Sequence, residues 1–341
     1  MPAGQATIEV VRGGLSEERA ADALGYLSRE LALEGDPARR RLAELVCLAL
    51  DGGEIVGAAS VHPEEVPLVG GRPFWIYRSV LGADSSEEWE SLFNATFDVL
   101  GDEFERRGVG PVGLCVIVAD RGEMKRRREA VWPGTDLMFA GYLDDDRQVR
   151  IRYFWDATIG PALPNSPSID ETREHEYPLE ARYRIESLAE ASQFTPDDIL
   201  RLWAREQAVP EAEAQRRVHE VTLVASDRDD GVVGVSSAYL QRNAQLRMDL
   251  WYYRTFVAEA HRMSNLAAQL IFGNRDILEQ RFVSGEDTRA GGVIFELEND
   301  GMRKYFNRAL WLPADFTFIG GSERGAHVRV HYFPGARVPV P

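Results

Sequence analysis

The residues best suited to chemistry gather in the C-terminal half of the chain. Residues 257–267 read Val257-Ala258-Glu259-Ala260-His261-Arg262-Met263-Ser264-Asn265-Leu266-Ala267. An apolar, strand-like run stops here, and a loop and then a helix follow. Such a junction turns backbone N–H groups inward and aims the positive end of the helix at whatever lies in front of it, which suits phosphate. Small residues let the backbone approach a ligand, and Asn265 is of a type that tolerates left-handed angles. Three carboxylates lie close by in the chain: Asp249 on the strand before the loop, and Glu296 and Glu298 on the next strand. Each is a candidate base, though a solvated or salt-bridged carboxylate is the commoner role for such a residue. His261 beside Arg262 is either a phosphate contact or an exposed loop histidine.

Metal chemistry finds no support. The six histidines, His62, His175, His219, His261, His327 and His331, show no ligand spacing. Cys47 and Cys115, the only cysteines, sit in apolar runs and read as small core residues of a protein in a reducing compartment.

Composition narrows the partners. A length of 341 residues suggests two domains, and 44% hydrophobic with 28% charged residues is the balance of globular domains with full cores. The longest apolar runs, such as Val112 to Ala119, are too short to cross a bilayer. The first five residues, Met1-Pro2-Ala3-Gly4-Gln5, lack the features of a secretory signal, so no membrane and a cytoplasmic location are expected. A net charge of −16 repels phosphate backbones and argues against nucleic acid. The basic run Lys125-Arg126-Arg127-Arg128 points around a helix instead of forming one face, and reads as solvated surface.

An internal repeat organises the chain. Trp75-Ile76-Tyr77-Arg78-Ser79 matches Trp251-Tyr252-Tyr253-Arg254-Thr255, an offset of 251 − 75 = 176. Asp51 to Gly57 matches Asp229 to Gly234, with Gly57 against Gly234. Val149-Arg150-Ile151-Arg152-Tyr153-Phe154 matches Val328-Arg329-Val330-His331-Tyr332-Phe333 at an offset of 328 − 149 = 179. Each half then predicts the same series: an opening strand (Ala6 to Val11; Ala181 to Ser187), a capped helix, and a hairpin turning at Asp51-Gly52-Gly53 or Asp229-Asp230-Gly231. The Trp-x-Tyr-Arg strand follows, then a long helix, a strand, a shorter helix and a closing strand pair. Thr195-Pro196-Asp197-Asp198 carries helix-start chemistry. Trp89, Leu92, Phe93, Phe97 and Leu100 follow helical spacing as a core stripe. Trp251, Tyr253 and Arg254 recur in both halves and read as packing residues. Residues 160–180 are linker-like, between lobes at 1–159 and 181–341. The expected class is α+β, two lobes each with a mainly antiparallel sheet flanked by helices.

The segment from Val257 to Ala267 resembles the acetyl-CoA pyrophosphate loop of GNAT (Gcn5-related N-acetyltransferase) enzymes, Arg/Gln-x-x-Gly-x-Gly/Ala after a valine spacer. Arg262 and Ala267 match, and Asn265 replaces the middle glycine. The segment Asn299-Asp300-Gly301-Met302-Arg303-Lys304-Tyr305-Phe306 is similar to the family's strand-to-helix junction, with Phe306 at the usual tyrosine position and Tyr305 one residue earlier. The resemblance implies two tandem GNAT-like lobes, with an acyl-CoA site in the second. It assigns cofactor contacts to Phe256, Val257, Arg262, Met263, Ser264, Asn265, Leu266, Ala267 and Asn299, and makes Tyr305 the candidate acid for the leaving thiolate. The first lobe lacks the loop pattern and has acids, Asp84 to Glu88, where pyrophosphate would sit. The implied activity is N-acyl transfer from acetyl-CoA or another acyl-CoA to a small amine-bearing molecule, without a metal. A non-catalytic GNAT-like scaffold and an aminoacyl-tRNA-dependent transferase are the alternatives, the last disfavoured by charge. A homodimer is left open.

Overall fold

The computed structural model describes residues 6–82, 86–160, 177–189, 193–262, 264–298, 303 and 307–341. Two compact units divide the chain: Met1–Pro161 with Val340–Pro341, and Ala162–Pro339.

The first lobe begins with β1 (Thr7–Val10), α1 (Glu17–Leu31) and α2 (Asp36–Ala43). It continues through β2 (Leu45–Asp51), β3 (Glu54–Val66), β4 (Arg72–Leu81) and α3 (Ser86–Arg107). β5 (Gly113–Val118), α4 (Arg121–Arg126), β6 (Val131–Trp132), β7 (Leu137–Tyr142) and β8 (Gln148–Tyr153) complete it. The strands form one sheet in the order β1-β2-β3-β4-β5-β8-β7-β6. Among the described residues, only β4 and β5 of this sheet pair in parallel. Local chemistry sets these boundaries. Ser16 caps α1 by accepting from the Arg19 N–H at 3.1 Å, a contact worth about 1 kcal/mol. Gly52 and Gly53 take φ of 58° and 94° in the β2–β3 turn, angles that glycine adopts without strain. Leu92, Phe93, Phe97 and Leu100 are buried as the stripe on α3 requires, and the helix packs on β2, β3 and β4.

The second lobe repeats the series: β9 (Tyr183–Ser187), α5 (Pro196–Arg205), α6 (Glu211–Arg217), β10 (Val221–Asp227), β11 (Gly231–Asn243) and β12 (Met248–Val257). Then come α7 (Leu266–Val283), β13 (Gly292–Leu297), β14 (Leu310–Trp311), β15 (Phe316–Gly321) and β16 (His327–Tyr332). Its sheet, read from β9, runs β9-β10-β11-β12-β13-β16-β15-β14, the same order position for position, again with a parallel pair at its centre, β12–β13. This is an α+β architecture, two lobes of one repeated topology. Asp198 accepts from the Thr195 N–H at 2.7 Å and its hydroxyl at 2.8 Å, fixing the start of α5. The repeated glycines have a steric reason. A Cβ on Gly57 would stand 2.7 Å from a Leu81 methyl and 3.2 Å from the Ala49 Cβ. On Gly234 it would stand 3.3 Å from the Phe256 carbonyl and 3.4 Å from the Ala225 Cβ.

The repeat also reaches polar features inside the core. Arg150 is fully buried, donating to Gln148 Oε1 at 2.7 Å and the Glu129 carbonyl at 2.8 Å. Arg329, its counterpart, is buried and donates to the carbonyls of Arg308 and Ala309. Arg78 pairs with Glu44, and Arg254 with Glu220 at 2.9 Å. One expectation fails within the basic run. Arg127 is not solvated: its guanidinium lies 3.8 Å from the centroid of Trp132 and 4.7 Å from that of Trp89. The aromatic faces there offer a cation–π site that the open surface does not.

Candidate functional site

The two central strands of the second lobe part company midway. β12 and β13 are paired only at Trp251–Val293 and Tyr252–Ile294. Beyond that point β12 stays paired with β11 as far as Val257, and β13 with β16 as far as Leu297. The facing edges of Tyr253–Val257 and Phe295–Leu297 therefore form a fork in the hydrogen-bond ladder. The direction of each N–H follows from register. The Ala258 N–H donates to the Val233 carbonyl at 2.8 Å, and Phe256 stands opposite Val235. Alternation along an antiparallel pair then turns the N–H groups of Phe256 and Arg254 toward β11, and those of Val257 and Thr255 into the fork. Of the two backbone donors expected from the sequence, Val257 faces the opening. Phe256 does not, because β11 takes its N–H, while its side chain packs in the core beside α5. An extended ligand carrying amide groups can pair with the open edge as an added strand would.

At the mouth of the fork, the chain makes a 3-10 turn over Glu259–His261 before α7. His261 is buried, with Nδ1 3.1 Å from the Tyr183 hydroxyl and Nε2 3.1 Å from an Asp230 carboxylate oxygen. It ties the loop to β9 and to the β10–β11 turn, and is neither an exposed loop residue nor free to meet a ligand. Ser264, also buried, donates its hydroxyl to the His261 carbonyl. Asn265 takes φ 60° and ψ 0°, a left-handed conformation that glycine adopts freely and asparagine more readily than most other residues. Its side chain does not cap α7 but donates to the Pro178 carbonyl at 3.1 Å. The first helical bond of α7 runs from the Gln269 N–H to the Asn265 carbonyl, so the N–H groups of Leu266, Ala267 and Ala268 have no acceptor within the helix. Leu266 and Leu270 are buried with Val257 and hold the helix start against the strand end.

Charge around this helix start differs between the lobes. The first turn of α7 contains no acid, whereas that of α3 contains Glu87 and Glu88. Arg262 is exposed beside it, its Nε donating to the Val257 carbonyl at 3.3 Å. Glu206 is the nearby carboxylate. The Glu259 N–H, donating at 3.2 Å, holds its carboxyl below the usual range, with Arg205 and Arg262 adding to the effect. Anions are favoured at α7 and opposed at α3.

The candidate bases separate. Asp249 stands at the far end of β12, 3.9 Å from Arg242, and eight residues of strand put it about 26 Å from Val257. It is not part of the fork. Glu296 and Glu298 are exposed near the end of β13, Glu298 3.6 Å from Arg324. Trp251, Tyr253, Val293 and Phe295 share a cluster with Ile271 and Leu278 of α7, so strand alternation places Glu296 on the opposite sheet face, with Tyr252 and Arg254. Arg254 lies 3.8 Å from the Tyr239 ring centroid, and Tyr252 accepts from the Asn243 amide at 2.9 Å. Burial pushes the Tyr252 phenol up and the Glu296 carboxylate adds to the rise, against the Asn243 hydrogen bond. The signal for Glu220 was present in the repeat, since 220 − 176 = 44 and Glu44 holds the matching arginine. Met263, Asn299 and Tyr305 lie outside the described residues. Among the described residues, no group of three or more His, Cys, Asp or Glu could hold a metal ion, and no helix is long and apolar enough to cross a membrane.

No protein-family model matches the chain, and no curated protein matches it. Among solved structures, part of the chain is similar to a GNAT-family acetyltransferase from Streptococcus pneumoniae, at 11% identity and TM-score 0.32, covering 45% of this chain and 99% of that one. It is also similar to the ribosomal-protein-S5-alanine acetyltransferase of Vibrio fischeri, at 10% identity and TM-score 0.31, covering 46% and 96%. A third is Arabidopsis thaliana NAA60 in complex with a bisubstrate analogue, at 15% identity and TM-score 0.30, covering 45% and 99%.

Proposed function

We propose that the chain is an acyl-CoA-dependent N-acyltransferase whose one cofactor site is the β12–β13 fork of the second lobe. The observation that carries this reading is the fork itself, with the uncapped, acid-free start of α7 at its mouth. Pantetheine, which has two amides, would pair with the open edge at Val257 and Thr255. The pyrophosphate would meet the N–H groups of Leu266 to Ala268, with Arg262 beside them. The Val257 N–H would polarise the thioester carbonyl as the amine attacks. Glu296 is the acid best placed to take the amine proton, directly or through water, and Tyr305 is the donor proposed for the departing thiolate. The acceptor is a small amine-bearing molecule and acetyl-CoA the expected donor, in a cytoplasmic protein. Calorimetric titration of the full chain with acetyl-CoA tests the reading. One site per chain supports it; two equivalent sites, or none, overturn it.

A second reading has an observation of its own. Residues Tyr177 and Pro178 lie across the start of α7, accepting from the Gln269 and Asn265 amides through their carbonyls. A lobe whose phosphate loop is engaged by its own chain suits a non-catalytic scaffold, for which the same titration would give no binding.

A further inference from the structure

We propose that the first lobe holds a separate anion pocket, in which Arg41 and Arg78 bind the carboxylate or phosphate of a small, partly apolar molecule. The inference comes from comparing the two copies of one local device. At the offset of 176, Ala38, Arg40, Arg41 and Glu44 correspond to Ala214, Arg216, Arg217 and Glu220. Ala38 and Ala214 are both buried, and the arginine–glutamate pairs Arg78–Glu44 and Arg254–Glu220 match. In the second lobe, Glu213 pairs with both Arg216 and Arg217, neutralising the helix end. The position equivalent to Glu213 is 213 − 176 = 37, and it holds Pro37. The carboxylate is gone while both arginines remain. Among the described residues, neither the Arg40 nor the Arg41 guanidinium has a hydrogen bond or an ion pair within 4.0 Å.

What replaces the carboxylate is space. A cavity of about 440 Å³ opens at this place, with Arg40, Arg41, Arg78 and Glu44 on its polar side and Leu31, Leu33 and Pro37 on its apolar side. Pockets of roughly 300–1,000 Å³ are the size that encloses a small organic ligand. Three guanidinium groups face one carboxylate, a local excess of positive charge in a chain of net charge −16. Glu44 is already engaged by one end of Arg78, whose Nε is buried and has no hydrogen-bond partner. The exposed part of the Arg78 guanidinium is left to meet an anionic oxygen in the cavity. Burial pushes Arg41 down to about 10, and the neighbouring Arg78 cation acts in the same direction, against Glu44. An anion seated between Arg41 and Arg78 relieves both effects, and the planar fork of arginine fits carboxylate and phosphate alike. The apolar wall at Leu31, Leu33 and Pro37 selects ligands with a hydrocarbon portion.

The test is calorimetric titration of the full chain with hexanoate and with hexyl phosphate, with hexanamide as the neutral control. One site for an anionic probe, weakened by added salt and absent for the amide, is expected. Arg41→Gln should weaken binding by about tenfold or more, the size of losing a charge-assisted hydrogen bond. Pro37→Glu should do the same by restoring the second lobe's internal neutralisation, and an acid in the first turn of α2 suits that helix. Circular dichroism confirms the fold of each variant. Arg262→Glu should leave the site intact. The ratio of the two affinities shows whether a carboxylate or a phosphate is preferred. Binding no tighter than that of hexanamide, binding unchanged in both first-lobe variants, or binding lost in Arg262→Glu would each overturn the proposal.

Discussion

Replacing Arg150 with methionine removes five donors from the core of the first lobe and keeps a stem of similar length. The wild-type guanidinium is fully buried and lies 4.2 Å from the centroid of Trp132. It makes two short bonds, at 2.7 Å to Gln148 Oε1 and 2.8 Å to the Glu129 carbonyl, and three at 3.4 Å to the carbonyls of Ala130, Leu137 and Arg127. Only the short pair counts heavily, at about 1.5–3 kcal/mol each for hydrogen bonds from a charged group. Removing the charge returns part of this, because the variant no longer buries a cation. Gln148 Oε1 and the Glu129 carbonyl, however, lose their short charged donor, so a net loss of about 3 kcal/mol is expected. That is a large fraction of the roughly 5–15 kcal/mol that holds a domain together. Urea unfolding followed by circular dichroism should show a lower midpoint at an unchanged slope. Arg329→Met should destabilise in the same direction, since its buried guanidinium donates to the carbonyls of Arg308 and Ala309. A midpoint for Arg150→Met equivalent to less than about 1 kcal/mol of destabilisation would refute the reasoning.

Arg262→Glu should weaken acetyl-CoA binding by about tenfold or more while circular dichroism stays unchanged, because an exposed cation beside the phosphate becomes a repulsion. Tyr305→Phe deletes only a hydroxyl; with an identified acceptor, turnover should fall well beyond about tenfold at unchanged acyl-CoA affinity. Burial alone would lower His331, but the Asp315 and Glu279 carboxylates at 3.1 and 2.7 Å overcome it and hold the imidazole above its ordinary value. Its stabilisation is therefore complete below about pH 6.5 and lost as pH rises through the raised value, a loss that urea titrations of His331→Gln should lack. His327 is opposite in sign: burial first, then Arg329 and Arg303, push it down to about 4. The cost of charging it appears as pH falls from about 6.5 toward 4, and His327→Phe should remove that acid loss.

The features legible in the sequence were those written in local chemistry or in the repeat. The Asp-Gly turns, the Thr195–Asp198 helix start and the α3 stripe each need only a few neighbouring residues, and each is found where the residues place it. The β12–β13 fork was not legible, because parting depends on how far a parallel register extends between segments about forty residues apart, for which alternation carries no signal. The burial of Arg150 and Arg329 was not legible either, because it depends on aromatic side chains and loop carbonyls that cover their face of the sheet. His261 and Arg127 were misread for a related reason. Polar residues in a loop or basic run look solvated until the chain brings Tyr183 and Asp230, or Trp89 and Trp132, against them.

Hydrogen–deuterium exchange with and without acetyl-CoA tests the placement of the cofactor site most directly. The open N–H groups of Thr255 and Val257 and the uncapped donors at Leu266 to Ala268 should exchange more slowly when the ligand is present, while the start of α3 near Glu87 and Glu88 stays unchanged. Protection confined to the first lobe, or saturating acetyl-CoA that leaves residues 255–268 exchanging as before, would contradict the account.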